Sequence, residues 1–188
     1  MTELDADRAT LLELIKRDAF QTGEFTLASG AKSDYYIDGR LLTLSSDGAH
    51  VLARVILAMI EDDEIDAIGG MTLGADPIVG AVLAMADARG RRLAGFICRK
   101  EQKRHGTGRL VEGNLKPGEK VLMVEDVVTT GGSTLRAIDA VEGRGGEVVR
   151  VIAIIDRLAG AADAFAERGV RFTPIFTVRD LGVDPDGG

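Results

Sequence analysis

Cysteine is nearly absent. Cys98 is the only one, so no internal disulfide can form. Histidine is almost as scarce, and two histidines with one cysteine cannot assemble a Cys/His metal cluster. No dedicated metal site is expected, and any metal should be a hard cation held partly by a substrate. No signal peptide and no long apolar run are evident, so a soluble, cytoplasmic protein without a membrane partner is expected. An overall basic face is missing too. The net charge of −7 and isoelectric point of about 4.9 argue against nonspecific nucleic-acid binding. What remains is a chain of 188 residues, suited to one domain with a real hydrophobic core.

The chain is organised around residues 121–141, VLMVEDVVTTGGSTLRAIDAV. Val121 to Val124 suit a buried strand, and Leu135, Ile138 and Val141 recur at helical spacing. Glu125 and Asp126 fall where the strand is expected to end, and Thr129, Thr130, Gly131, Gly132, Ser133 and Thr134 fill the turn into the helix. Such a turn can aim backbone N–H groups, hydroxyls and the positive end of a helix dipole at one phosphate. Two carboxylates beside a phosphate suit sugar hydroxyls and a hydrated Mg²⁺, so the expected ligand is a ribose phosphate. The stretch has neither the G-x-x-x-x-G-K-[ST] lysine nor the G-x-G-x-x-G spacing. The plain alternative is a glycine-rich turn with a Thr or Ser helix cap.

The hydrophobic run, the Glu125–Asp126 pair, two variable residues (Val127, Val128) and TTGGST resemble the 5-phosphoribosyl 1-diphosphate (PRPP) signature of the type I phosphoribosyltransferases. Other segments narrow the resemblance to the orotate enzymes. FTLASGAKSDYYID, residues 25–38, reads as two short strands around a Ser29–Gly30 turn. From the residues alone, paired tyrosines equally suit a strand with one ring in the core and one at the surface; the segment is similar to the amino-terminal hood of that family, where an aromatic pair, here Tyr35 and Tyr36, lies over the pyrimidine. One departure is Ala28, where many members carry a lysine. A strand at 65–68 leads through a small-residue loop to Pro77 in the first turn of a helix ending near Gly90, a second possible anion site. The resemblance makes Thr72, Leu73, Gly74 and Ala75 the pyrophosphate loop.

Residues 99–109 carry Arg99, Lys100, Lys103, Arg104 and Arg109 against Glu101, a local excess of four positive charges flanked by Gly106 and Gly108. Alone, such a run is as often plain solvated surface. It resembles the family's catalytic loop, which implies a homodimer in which Lys103 and His105 act in trans on the leaving diphosphate while Lys100 serves its own subunit. Val148 to Ile155 reads as a strand ending in Asp156 and Arg157.

The resemblance assigns PRPP to Arg99, Lys100, Lys103, His105 and residues 125–133. It assigns orotate to Tyr35, Tyr36, Thr129 and Arg157, and names Lys103, His105 and Asp126 as catalytic.

Further helices are expected over Asp7–Ala19, from a Ser46 or Asp47 cap to about Asp62, and over 160–168; the EDDE tail at 61–64 reads as a solvated helix end, and Phe172–Val178 as a last strand. Together these give an α/β fold, a parallel sheet flanked by helices from about 65 to 180 with an N-terminal hood over about 1–40. The resemblance implies orotate phosphoribosyltransfer with Mg²⁺. A phosphoribosyltransferase for another base, a PRPP-sensing regulator that binds nucleic acid, and a generic nucleotide-binding domain stand as alternatives.

Overall fold

The computed structural model describes residues 2–26, 30, 32–101 and 110–185. Thr2 starts α1 (Glu3–Leu14) through a capping box. Its hydroxyl accepts the Asp5 N–H at 3.1 Å, and the Asp5 carboxylate accepts the Thr2 N–H at 2.8 Å. One π-helical turn over Ile15–Ala19 then delivers the chain to β1 (Phe20–Thr26), which pairs antiparallel with β2 (Lys32–Ile37). The first hood strand thus starts earlier than the 25–38 window suggested. Cross-strand aromatic contacts account for the extra length: Phe20 packs on Tyr35 with centroids 6.2 Å apart, and Phe25 on Tyr36 at 5.5 Å.

A short helix, α2 (Gly39–Thr43), leads into α3 (Ser46–Met59). The cap of α3 is Ser45, one residue before the expected candidates, with its Oγ accepting the Gly48 N–H at 3.1 Å. The acidic tail after α3 does more than meet solvent. Asp63 accepts from Arg150 at 2.5 Å and from Arg171 at 3.2 Å, and Arg150 is only 4% exposed. The tail is drawn in because a buried guanidinium needs a carboxylate.

Six strands form the main sheet: β3 (Ala67–Met71), β4 (Ala94–Cys98), β5 (Val111–Gly113), β6 (Lys120–Val128), β7 (Glu147–Asp156) and β8 (Arg171–Thr177). Their order is β5-β4-β3-β6-β7-β8, parallel throughout except that β5 runs antiparallel to β4. This is the expected parallel sheet flanked by helices, although neither β4 nor β5 was read from the sequence. A three-residue edge strand carries too little periodicity to announce itself.

Helices α4 (Ala75–Ala88), α5 (Gly132–Glu142) and α6 (Ala161–Glu167) complete the layers. Along β6 the side chains alternate between two cores. Leu122 and Val124 pack with Leu11, Ile56 and Ile78 of α1, α3 and α4, while Val121 and Met123 pack with Ile138 of α5 and Phe165 of α6. All four β6 residues are fully buried, each contributing roughly 1.5–3 kcal/mol. A strand apolar on both faces therefore lies at the centre of the sheet, and its carboxyl end is rigidly placed.

Candidate active site

Instead of ending at Glu125, β6 continues to Val128, because β7 keeps pairing with it as far as Val128 opposite Asp156. The alternation of the strand therefore extends through the acidic pair. Glu125 follows Val121 and Met123 toward α5; Asp126 follows Leu122 and Val124 to the other face. Glu125 is 6% exposed and accepts the Thr134 hydroxyl at 3.0 Å. Burial pushes its carboxyl up to about 8, against the lowering effect of Thr134 and with a raising effect from Asp126. Asp126 is also raised, chiefly by burial, although its Oδ1 accepts the Val127 N–H at 2.8 Å.

Two glycines make the slot that holds Asp126. A Cβ on Gly39 would stand 2.7 Å from Asp126 Cβ, and one on Gly74 would stand 2.5 Å from Asp126 Oδ1. Neither position allows a side chain without displacing the carboxylate.

The turn after β6 answers whether TTGGST is merely a cap. Gly131 is the N-cap of α5, in the left-handed region at φ 76°, and no side chain caps the helix. Thr129, Thr130 and Ser133 are exposed, and the buried Thr134 gives its hydroxyl to Glu125. The capping alternative therefore fails: the first-turn N–H groups of α5 carry no side-chain cap, the arrangement in which a helix N-terminus can take an anion. Gly131 suits this turn because a side chain there would be strained and would meet the Phe165 ring at 3.1 Å.

A similar helix end lies beside it. Met71 closes β3, the Thr72–Leu73 peptide is cis, and α4 starts after Gly74 with no side-chain cap. The Thr72 hydroxyl donates to Asp76 Oδ2 at 2.7 Å, which ties the loop to the helix it precedes. Leu73 is 69% exposed and Ala75 fully buried.

These parts share one open cleft of about 770 Å³, lined among others by Tyr36, Thr72, Leu73, Gly74, Arg99, Lys100, Glu125, Asp126, Val127 and Ser133. Val128, expected beside PRPP, instead buries its side chain in the α5–α6 core, and its carbonyl accepts the Arg157 N–H at 2.9 Å. Arg99 is partly spoken for, since its Nε donates to Glu112 at 2.7 Å. Tyr35 and Tyr36 point to opposite faces of β2. Tyr36 faces the cleft, while Tyr35 packs against the core and meets Arg157. Arg157 Nε donates to the Tyr35 hydroxyl at 2.9 Å, and its guanidinium carbon stands 4.7 Å from the ring centroid. Lys103 and His105 lie outside the described residues. Asp38, Gly39, Arg40 and Glu101 also line the cleft and were not anticipated. The break of D-G-R straight after the paired-tyrosine strand was the available signal.

An acidic strand end between two uncapped helix N-termini, at the carboxyl edge of a parallel sheet, defines the class: an α/β protein built to hold a sugar phosphate. Comparisons with known proteins narrow it. Residues 49–170 match the model of the phosphoribosyl transferase domain. The chain is 48% identical over 185 residues to the orotate phosphoribosyltransferase of Rhodopirellula baltica, covering 95% of this chain and 96% of the relative. Among solved structures it is similar to Mycobacterium tuberculosis orotate phosphoribosyltransferase in complex with Fe(III) dicitrate, with a TM-score of 0.83, 42% identity, and coverage of 94% of this chain and 99% of that one. The M. tuberculosis enzyme in complex with PRPP matches at a TM-score of 0.79 and 38% identity, over 94% of this chain and 99% of that one. The chain belongs to the phosphoribosyltransferase family and, within it, to the orotate phosphoribosyltransferases.

Proposed function

We propose that the cleft is where this chain binds PRPP and orotate. The family's reaction moves the 5-phosphoribosyl group from PRPP to orotate, giving orotidine 5′-phosphate and pyrophosphate in pyrimidine biosynthesis. The observation that carries the site is the uncapped N-terminus of α5 beside Glu125 and Asp126. The complex of the M. tuberculosis relative with PRPP supports the same ligand here.

In this reading the N–H groups and hydroxyls of residues 129–134 take the 5-phosphate, and Glu125 and Asp126 take the ribose hydroxyls. Glu125, close to half-protonated near its raised value of about 8, can both donate to and accept from a diol. Residues 72–75 receive the diphosphate. Orotate lies toward Tyr36 and Thr129 and sets its carboxylate on Arg157, whose fork suits a bidentate contact.

The bond from C1 to the diphosphate oxygen breaks as the orotate ring nitrogen attacks, with inversion at C1. The Asp126 carboxylate would stabilise positive charge developing on the ribose. A pair of carboxylates at one strand end fits a hydrated hard cation shared with ligand oxygens. Such a Mg²⁺ would be held largely by the oxygens of PRPP, beside Glu125 and Asp126, and on binding would offset polyphosphate charge. The proposal extends to a cytoplasmic homodimer whose basic loop brings Lys103 and His105 to the partner's diphosphate. Among the described residues no helix is long and apolar enough to cross a membrane.

The test is the loss of orotate absorbance on adding PRPP and Mg²⁺, with uracil, adenine and hypoxanthine in parallel. Loss with orotate alone is expected. Turnover of another base in preference, or of none, would contradict the reading.

A further inference from the structure

Arg40 lines the cleft and has no role in the reading above. Asp38 grips it three times: Oδ1 accepts from the Arg40 backbone N–H at 3.1 Å and from Nε at 2.8 Å, and Oδ2 accepts from Nη2 at 2.9 Å. This fork occupies the Nε–Nη2 edge of the guanidinium, so the planar geometry turns the Nη1 edge away from Asp38. Nearly half of the Arg40 side-chain surface, 49%, is open. The residue is also well located. A Cβ on its neighbour Gly39 and one on the loop's Gly74 would both run into Asp126, so Arg40 starts close to the loop 72–75. Both line the same cleft.

That loop reads Thr72, Leu73, Gly74, Ala75 and brings no cation of its own. A diphosphate placed there would meet backbone dipoles, the Thr72 hydroxyl proton being given to Asp76, whereas a leaving group that gains charge is best met by a fixed cation. We infer that Arg40 is a further PRPP-contacting residue, which offers its Nη1 edge to the diphosphate while Asp38 holds the other edge. The inference rests on the cleft being the PRPP site. An ordinary surface ion pair would also join Asp38 to Arg40, but such a pair would leave anion affinity untouched.

Steady-state kinetics of Arg40→Gln, Arg40→Lys and the exposed control Arg17→Gln, with pyrophosphate as product inhibitor, separate the two. In R40Q the KM for PRPP and the inhibition constant of pyrophosphate are expected to rise about tenfold, the effect of losing one charge-assisted hydrogen bond. The KM for orotate and the melting temperature should stay near wild type, R40K should regain part of the loss, and R17Q should match wild type. Wild-type values for PRPP and pyrophosphate in R40Q would overturn the assignment. So would an equal rise in the KM for orotate, which marks a general disturbance of the hood. Asp126→Asn, run beside them, tests the cleft itself. If D126N weakens PRPP while R40Q does not, only the role of Arg40 falls; if D126N too binds PRPP normally, the cleft reading falls with it.

Discussion

Replacing Gly74 with alanine should damage catalysis more than folding. The backbone there, φ −59° and ψ −42°, is ordinary right-handed helix, so alanine is conformationally welcome and on that ground alone would add about 0.4–1 kcal/mol of stability. Space decides otherwise. The new methyl would lie 2.5 Å from Asp126 Oδ1 and 2.8 Å from Cγ, and ordinary contact begins at 3.4 Å, so the carboxylate must retreat by close to an ångström. It cannot slide freely, because the space at Gly39 is also tight against it.

Overpacking of this kind costs about 1–3 kcal/mol, leaving a net destabilisation of about 0–2.6 kcal/mol once the backbone gain is subtracted. A misplacement of about 1 Å in a reacting site is worth up to about a hundredfold in rate. The expected result for G74A is therefore a fall of about 10–100-fold in kcat/KM for PRPP, or about 1.4–2.7 kcal/mol of transition-state stabilisation. The melting temperature should drop by only a few degrees. The assay is orotate consumption with PRPP varied, run beside a thermal melt. Wild-type kcat/KM in a folded G74A would refute both the wedge and the role given to Asp126.

Glu125 makes the ligand-free protein pH-dependent in a defined direction. Its folded value of about 8 lies above the ordinary 4.5, so between those values the folded state binds more protons than the unfolded one, and stability falls as pH rises through that window. Glu125→Gln cannot ionise. Its stability relative to wild type should improve by a few kcal/mol from about pH 5 to about pH 9 in urea unfolding; a pH-independent difference would contradict the burial argument. Arg150→Ala removes a guanidinium that bonds Asp63, the Met59 carbonyl at 2.7 Å and Thr173 at 3.3 Å. It should cost about 2–4 kcal/mol, somewhat under the cost of a fully isolated buried pair because Arg171 still reaches Asp63, and unfolding at wild-type denaturant would refute this. Arg157→Lys should raise the KM for orotate about tenfold or more while sparing PRPP, since an ammonium cannot replace a bidentate fork stacked on Tyr35; equal effects on both substrates would reject its assignment to orotate.

The centre of the fold was open to reading from residues alone. A β-branched run followed by helical spacing marks β6 and α5, because a strand buried on both faces and an amphipathic helix each impose a periodicity. The small-residue turn between them was legible for a similarly local reason. What escaped was long-range. Whether Thr134 caps α5 or reaches back to Glu125 depends on β6 continuing to Val128, and that depends on pairing with β7. The slot for Asp126 joins Gly39 and Gly74, distant in sequence. For Tyr35 and Tyr36 the plain reading, one ring toward the core and one toward the surface, holds, but the inner ring's partner Arg157, far along the chain, was not legible. Asp63 looked solvated because its partner, Arg150, comes from a strand far along the chain.

The most direct test of the central claim is a calorimetric titration of PRPP with Mg²⁺ into the wild-type protein and into the Glu125→Gln, Asp126→Asn double variant. The account predicts saturable binding to the first and a loss of affinity of at least about tenfold in the second, with the fold intact by circular dichroism. Equal affinity in the two proteins would place the ribose elsewhere and contradict the site.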